Sequence, residues 1–236
     1  MSSVARGVVL AAVFVLGACG GSSVSEENLA KMRKVYDETL IEAEPLCIAA
    51  GPFPFRSGMR SDYASGQNCD RCQALAEAGF LVRTVVGDGG SGYVQFDLSD
   101  EGRPLYRREA DAEYVALVHE RLARFNRPDE DVDPEKLGKP RLCFGQTRFH
   151  SITDALSPFS FSGSVLRSVK VVAEAKDTSG VLFDPRVKAL GLPVPEQPEP
   201  GEPALYPPHV VTFEYYPGEP LPGITDTRYG AWVDEP

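Results

Sequence analysis

A chain of 236 residues, 42% hydrophobic and 25% charged, can bury the core of one domain or two small lobes, which excludes an intrinsically disordered polypeptide. Its formal net charge of −10 repels nucleic acid and anionic lipid headgroups alike, so neither is expected as a partner. The three histidines and five cysteines are few enough to be weighed one by one.

Residues 1–18 carry one positive charge, Arg6, then an apolar run from Val8 to Leu16, then Gly17 and Ala18 before Cys19. That is the pattern of a secretory signal, too short to span a bilayer, where a helix needs about 20 residues. The tetrapeptide Leu16-Gly17-Ala18-Cys19 resembles the lipobox of bacterial lipoproteins. The resemblance implies cleavage before Cys19, a diacylglyceryl group on its sulfur and acylation of the new amine. Residues 19–24 then form a short lipidated tether. In a Gram-negative host Gly20 departs from the aspartate of inner-membrane retention, which implies the outer membrane, facing the periplasm. Removing Arg6 with the signal takes the net charge from −10 to −11.

Ser25 is read as the cap of a helix whose apolar positions Leu29, Met32, Tyr36, Leu40 and Ala43 repeat every three or four residues, ended by Pro45. The stretch Gly51-Pro52-Phe53-Pro54-Phe55 and the polar run to Gln67 read as loop. A second helix is predicted over Cys69 to Ala78, with Asn68 as cap and Gly79 as stop. Alternation then predicts strands at Phe80 to Val86 and Tyr93 to Leu98 around the glycine-rich Gly87 to Gly92. Ser99 is expected to open a further helix carrying Leu105, Tyr106, Tyr114, Leu117 and Leu122.

The series Leu75-Ala76-Glu77-Ala78-Gly79-Phe80-Leu81, a hairpin, and Phe96-Asp97-Leu98-Ser99-Asp100-Glu101-Gly102 resembles the helix and wing of winged-helix proteins. DNA binding is not carried over, because Asp70 and Glu77 outweigh Arg71 on the helix that would enter a groove. The resemblance implies a packing motif.

Residues 127–140 are acidic and aperiodic and read as a surface linker, after which the texture turns to β. Strands are expected over Arg141 to Ile152, Val165 to Ala175 and His209 to Tyr216, with turns at Ser157-Pro158 and Ser162-Gly163 and an antiparallel sheet. A short helix is expected from Asp184, with Pro185 in its first position, to Leu190. The 193–203 tract is rich in proline and glutamate and reads as extended. Leu142-Cys143-Phe144-Gly145, the hairpin and Phe183-Asp184-Pro185 are together similar to a group of uncharacterised bacterial envelope lipoproteins. That likeness implies an α+β fold: a helical, winged-helix-like N-terminal half over 25–126 and an antiparallel β-rich half over 141–236.

With Cys19 assigned to lipid, Cys47, Cys69, Cys72 and Cys143 remain, and in an oxidising envelope they read as two disulfides with three possible connectivities. Cys69-Asp70-Arg71-Cys72 also has the spacing of a redox pair, with Cys69 as nucleophile and Cys72 as resolving thiol. A thioredoxin-like site would place that pair after a buried parallel strand, whereas Arg56 to Gln67 is polar loop. Gly87-Asp88-Gly89-Gly90-Ser91-Gly92 matches a dinucleotide fingerprint in letters only, since a strand follows where a helix is needed. Asp129, Asp131 and Asp133 begin like a calcium loop, but Pro134 and Pro140 stand where its glycine and glutamate belong. His119, His150 and His209 fall on three different elements without ligand spacing.

The sequence therefore implies no catalytic residue, metal or cofactor. It implies a membrane partner through lipid on Cys19, an envelope protein as a further partner, and a non-enzymatic binding or structural role. The alternative is a periplasmic thiol–disulfide protein using Cys69 and Cys72.

Overall fold

A computed structural model describes residues 24–57, 71–87, 92–127 and 131–228. The fold is α+β, with helices and antiparallel sheets, and its longest helix is α1, Glu26–Ala43. Ser25 caps α1 as its sequence implies, its hydroxyl accepting from the Asn28 N–H at 3.3 Å, with Glu26 and Glu27 beside the positive end of the helix dipole. Glu44 adopts a left-handed conformation at the other end and donates its N–H to the Leu40 carbonyl, so the helix closes one residue before Pro45.

Short elements follow: β1 Cys47–Ala49, β2 Phe55–Ser57, α2 Cys72–Glu77, and the hairpin β3 Leu81–Val86 with β4 Tyr93–Leu98. The helix expected from Ser99 does not form there. Instead Arg103–Leu105 make a single 3-10 turn, Tyr106–Arg107 form β5, and the helix, α3, starts only at Ala112 and runs to Arg124. Gly102 shows why. A Cβ on it would lie 1.9 Å from the Phe80 carbonyl oxygen, so the chain turns tightly against the head of β3, and Tyr106 and Arg107 are drawn off to pair with a distant strand. Asn68 and Cys69, expected to start the second helix, lie outside the described residues.

Within the acidic stretch Asp133 caps a one-turn helix, α4 Pro134–Leu137, with Pro134 in its first position. Then come β6 Arg141–Cys143, β7 Gly145–Ala155, β8 Phe159–Phe161 and β9 Ser164–Asp177. Ser162 and Gly163, both at positive φ, make the two-residue turn between β8 and β9. Asp184 caps α5, Pro185–Ala189, as its sequence implies, and β10 Ala204–Leu205, β11 His209–Tyr215 and β12 Gly223–Arg228 complete the chain.

The largest sheet has six strands around β9. On one side β9 pairs with β7 and then β8; on the other it pairs with β10 and β11, and β12 lies outside β11. Two small sheets, ordered β1-β6-β5 and β2-β4-β3, sit at the end of the molecule where β7 begins.

Two apolar clusters result. In one, α1 lays Met32 and Tyr36 on the large sheet against Phe149, Val169, Val171, Val211 and Phe213. In the other, Leu46, Ile48, Leu75 and Phe80 pack with Leu142, Phe144, Leu182 and Val187, and the rings of Phe80 and Phe144 meet edge to face at 5.1 Å. Both clusters draw on residues from before and after the 127–140 segment, so the core runs across it.

Candidate functional site

Among the described residues the cysteines settle in part. Cys47 and Cys143 stand directly opposite each other in the β1–β6 ladder and are joined by a disulfide, Sγ to Sγ 2.09 Å, across a sequence separation of 96. Cys72 is disulfide-bonded as well, and is 2% exposed in the cluster that holds Leu75 and Phe80. Cys19 and Cys69 lie outside the described residues, as do Asp129 and most of the glycine loop.

The histidines separate clearly. His119 is exposed on α3, and His150, on β7, stands 3.8 Å from a Glu174 carboxylate oxygen. His209 is 3% exposed, and its Nε2 lies 2.6 Å from the hydroxyl of Tyr36, itself 4% exposed. A backbone hydrogen bond to the Pro207 carbonyl uses an imidazole N–H. A neutral imidazole has only one, so Nε2 is left to accept from Tyr36, which assigns the tautomer from its partners. Burial holds His209 below its ordinary pKa, and the Pro207 bond works in the opposite sense. Next to this pair Asp37 accepts the Phe149 N–H at 2.7 Å, and burial raises its pKa against the pull of Arg148 and Arg33. Tyr36 and His209 are sealed between α1 and the sheet, so they pin the helix to the sheet. Sequence spacing missed the pair because 173 residues separate its members. One signal was present: His209, Val211 and Phe213 alternate on the inward face of a strand, which places the imidazole in the core.

Arg141 is the second buried polar centre, 2% exposed. One Nη donates to the carbonyls of Glu109 at 3.0 Å and Lys139 at 3.2 Å, and the other to Asp111 at 3.0 Å. Its Nε lies 2.6 Å from a Glu44 carboxylate oxygen, an ion pair. Burial raises the Glu44 pKa, and the guanidinium opposes the rise. Arg141 thus ties the end of α1 to the loop before α3 and to its own strand, with every strong donor directed at protein.

Charge on the surface is also used for packing. Glu120 of α3 bonds Lys34 of α1 at 2.7 Å and Arg124 at 2.8 Å, hydrogen bonds that hold its pKa down to about 2. Arg121 pairs with Glu42, and Arg148 with Glu113. Asp133 caps α4 through the Glu135 N–H, so it acts as a helix cap. Among the described residues no group of three or more His, Cys, Asp or Glu side chains could hold a metal ion, and no helix is long and apolar enough to cross a membrane.

Two surface features stand toward the start of α1. An open groove runs between the start of α1 and β7, lined by Val24, Leu29 and Arg33 on one wall and by the 149–155 segment on the other. Beyond it the β8–β9 hairpin exposes Leu156, Phe159 and Phe161, at 45%, 55% and 64%. No family model, curated protein or solved structure matches the chain.

Proposed function

We infer that the chain is a lipid-anchored protein of the bacterial cell envelope, facing the periplasm, whose folded body has a non-enzymatic binding or structural role. The observation that carries this reading is the lipobox-like Leu16-Gly17-Ala18-Cys19, which stands five residues before Val24, the first described residue. The Cys47–Cys143 bond supports it, because structural disulfides form and persist in oxidising compartments. The buried polar centres at His209 and Arg141 support a structural role, since both hold elements together. The winged-helix likeness of α2, β3 and β4 enters only as a way of packing a helix on a hairpin.

The test is the mass of the N-terminal peptide from protein made with its leader in a bacterial host. The reading expects a tryptic peptide starting at Cys19, ending at Lys31 and carrying acyl chains. A peptide that begins elsewhere, or an unmodified Cys19, overturns it.

A second reading keeps Cys69 and Cys72 as a thiol–disulfide pair, since the bonded and buried Cys72 occupies the place of a resolving thiol. Titration against a graded redox buffer separates the two. A Cys72 bond that opens alone at a mild potential favours the redox protein, and one that resists the whole range favours the staple.

A further inference from the structure

The hairpin of β8 and β9 differs from the rest of this chain in composition. From Leu156 to Leu166 it runs Leu-Ser-Pro-Phe-Ser-Phe-Ser-Gly-Ser-Val-Leu, eleven residues without an ionisable side chain, in a protein 25% charged. Leu156 donates its N–H to Ser168, Phe159 pairs with Leu166, and Phe161 with Ser164, so Leu156, Phe159 and Phe161 share the face of the sheet turned away from α1. All three are about half exposed or more. Val165 and Tyr216, 40% and 52% exposed, stand at the same end.

The first described residues, at the start of α1, lie at this end as well. α1 and β7 run antiparallel: Leu40 and Glu44 line a cavity with Gly145 and Arg148, whereas Val24 and Leu29 line the groove with Ile152 and Ala155. Val24 is therefore level with Ala155, which pairs with Val169. From Val169 to Ser164 the strand advances five residues, roughly 17 Å at about 3.3 Å each. From Val24 back to Cys19 is also five residues, which reach at most about 18 Å. The tether thus cannot hold the lipid anchor much farther from the body than the hairpin tip already extends.

We propose that the β8–β9 hairpin is a second membrane contact, its Phe159 and Phe161 side chains entering the headgroup region of the bilayer to which Cys19 is anchored. The inference rests on the lipid-anchored reading. An acidic protein is pushed from anionic headgroups, and a tip with no charge is the part of it that approaches them at the least electrostatic cost. Phenylalanine adds apolar area, and a tyrosine at the rim suits the boundary between water and hydrocarbon. Contact is shallow, because Glu214 accepts the Ser164 hydroxyl at 2.5 Å beside the tip and Glu219 lies in the neighbouring turn, both of which stay in water.

The experiment uses the mature protein with its leader processed, reconstituted in phosphatidylcholine–phosphatidylglycerol vesicles. Trp232, the only tryptophan, is removed by Trp232→Phe, and an indole is introduced by Phe161→Trp. The expected result is emission at shorter wavelength and a progressive loss of intensity as acyl-brominated lipid is added. The same indole introduced by Val85→Trp, 62% exposed at the opposite end, keeps its emission. An acylated protein whose hairpin indole is unquenched overturns the contact and leaves the anchor standing. A blue shift without bromine quenching, together with self-association in sedimentation, also overturns it and makes the hairpin a contact between copies. The acyl mass on Cys19 is read from the same sample, and its absence overturns the anchor and this orientation together.

Discussion

Removing the Cys47–Cys143 bond, by Cys47→Ala with Cys143→Ala, tests how the end of the molecule away from the hairpin is held. The bond closes a loop with a sequence separation of 96. In the chain-entropy account a loop of that length removes about 4.7 kcal/mol from the unfolded state at 25 °C, and native bonds of this kind contribute about 2–5 kcal/mol. The ladder it bridges offers little in its place, three residue pairs between β1 and β6 and two more to β5. The double variant is expected to lose about 4 kcal/mol, a large part of a total near 5–15 kcal/mol. Its thermal midpoint should fall by about 8–16 °C, at about 2–4 °C per kcal/mol for a domain of this size. Urea and thermal unfolding of the chain without residues 1–18, each followed by far-UV circular dichroism without reductant, measure the two quantities. The urea m-value should also rise, because the unfolded chain is no longer looped and exposes more surface. A loss under 1 kcal/mol with an unchanged m-value would refute the argument that the bond acts through the unfolded chain.

Tyr36→Phe leaves His209 Nε2 buried without its donor and should cost about 1–3 kcal/mol in the same assay, a loss that His209→Phe in the same chain should partly recover. His209 has a folded pKa below its unfolded value of about 6.5, so the native state binds fewer protons and its stabilisation is full above that value. It is lost as pH falls through the depressed folded value. His209→Gln keeps an acceptor for Tyr36 without titrating, and should flatten that slope relative to the parent. Asp37 and Glu44, raised by burial, act with the opposite sign at lower pH: their stabilisation is present below about pH 4 and is lost as pH rises through their folded values. Arg141→Met strips the half-buried Glu44 of its counter-charge and should cost about 3 kcal/mol, the low end for a broken buried pair because Glu44 and Asp111 keep part of their water. Adding Glu44→Gln should return part of that loss, and a double-mutant cycle with no coupling would remove Arg141 as the tie.

Local chemistry was legible in the sequence wherever a signal acts over a few residues. Ser25 and Asp184 announce helices that form, and the alternation of Leu81 to Val86 and Tyr93 to Leu98 announces a hairpin that forms. What failed was set by distant partners. β1, β2 and β5 are two or three residues long and are strands only because β6 and β4 lie alongside them, so no periodicity marks them in advance. The helix expected from Ser99 was displaced by the contact of Gly102 with Phe80, twenty-two residues upstream, which no helical pattern registers. The Tyr36–His209 pair was invisible for the same reason, although the inward phase of β11 carried half of it.

The acidic 127–140 segment separates two textures along the chain, but β9 joins them in space. One strand delivers Val169 and Val171 to the cluster under α1 and Ala175 to the cluster around Phe80. β7 runs beside it, from Gly145 opposite Asp177 to Ala155 opposite Val169, so the same ladder supports both clusters. Neither cluster can lose its packing without exposing an end of that ladder, which favours unfolding as one unit. The arrangement also gives the molecule a long axis, with the start of α1 and the uncharged hairpin at one end and the disulfide-closed sheet at the other. If the proposed hairpin contact holds and that end faces a bilayer, the sheet held by Cys47 and Cys143 is the part turned away from it.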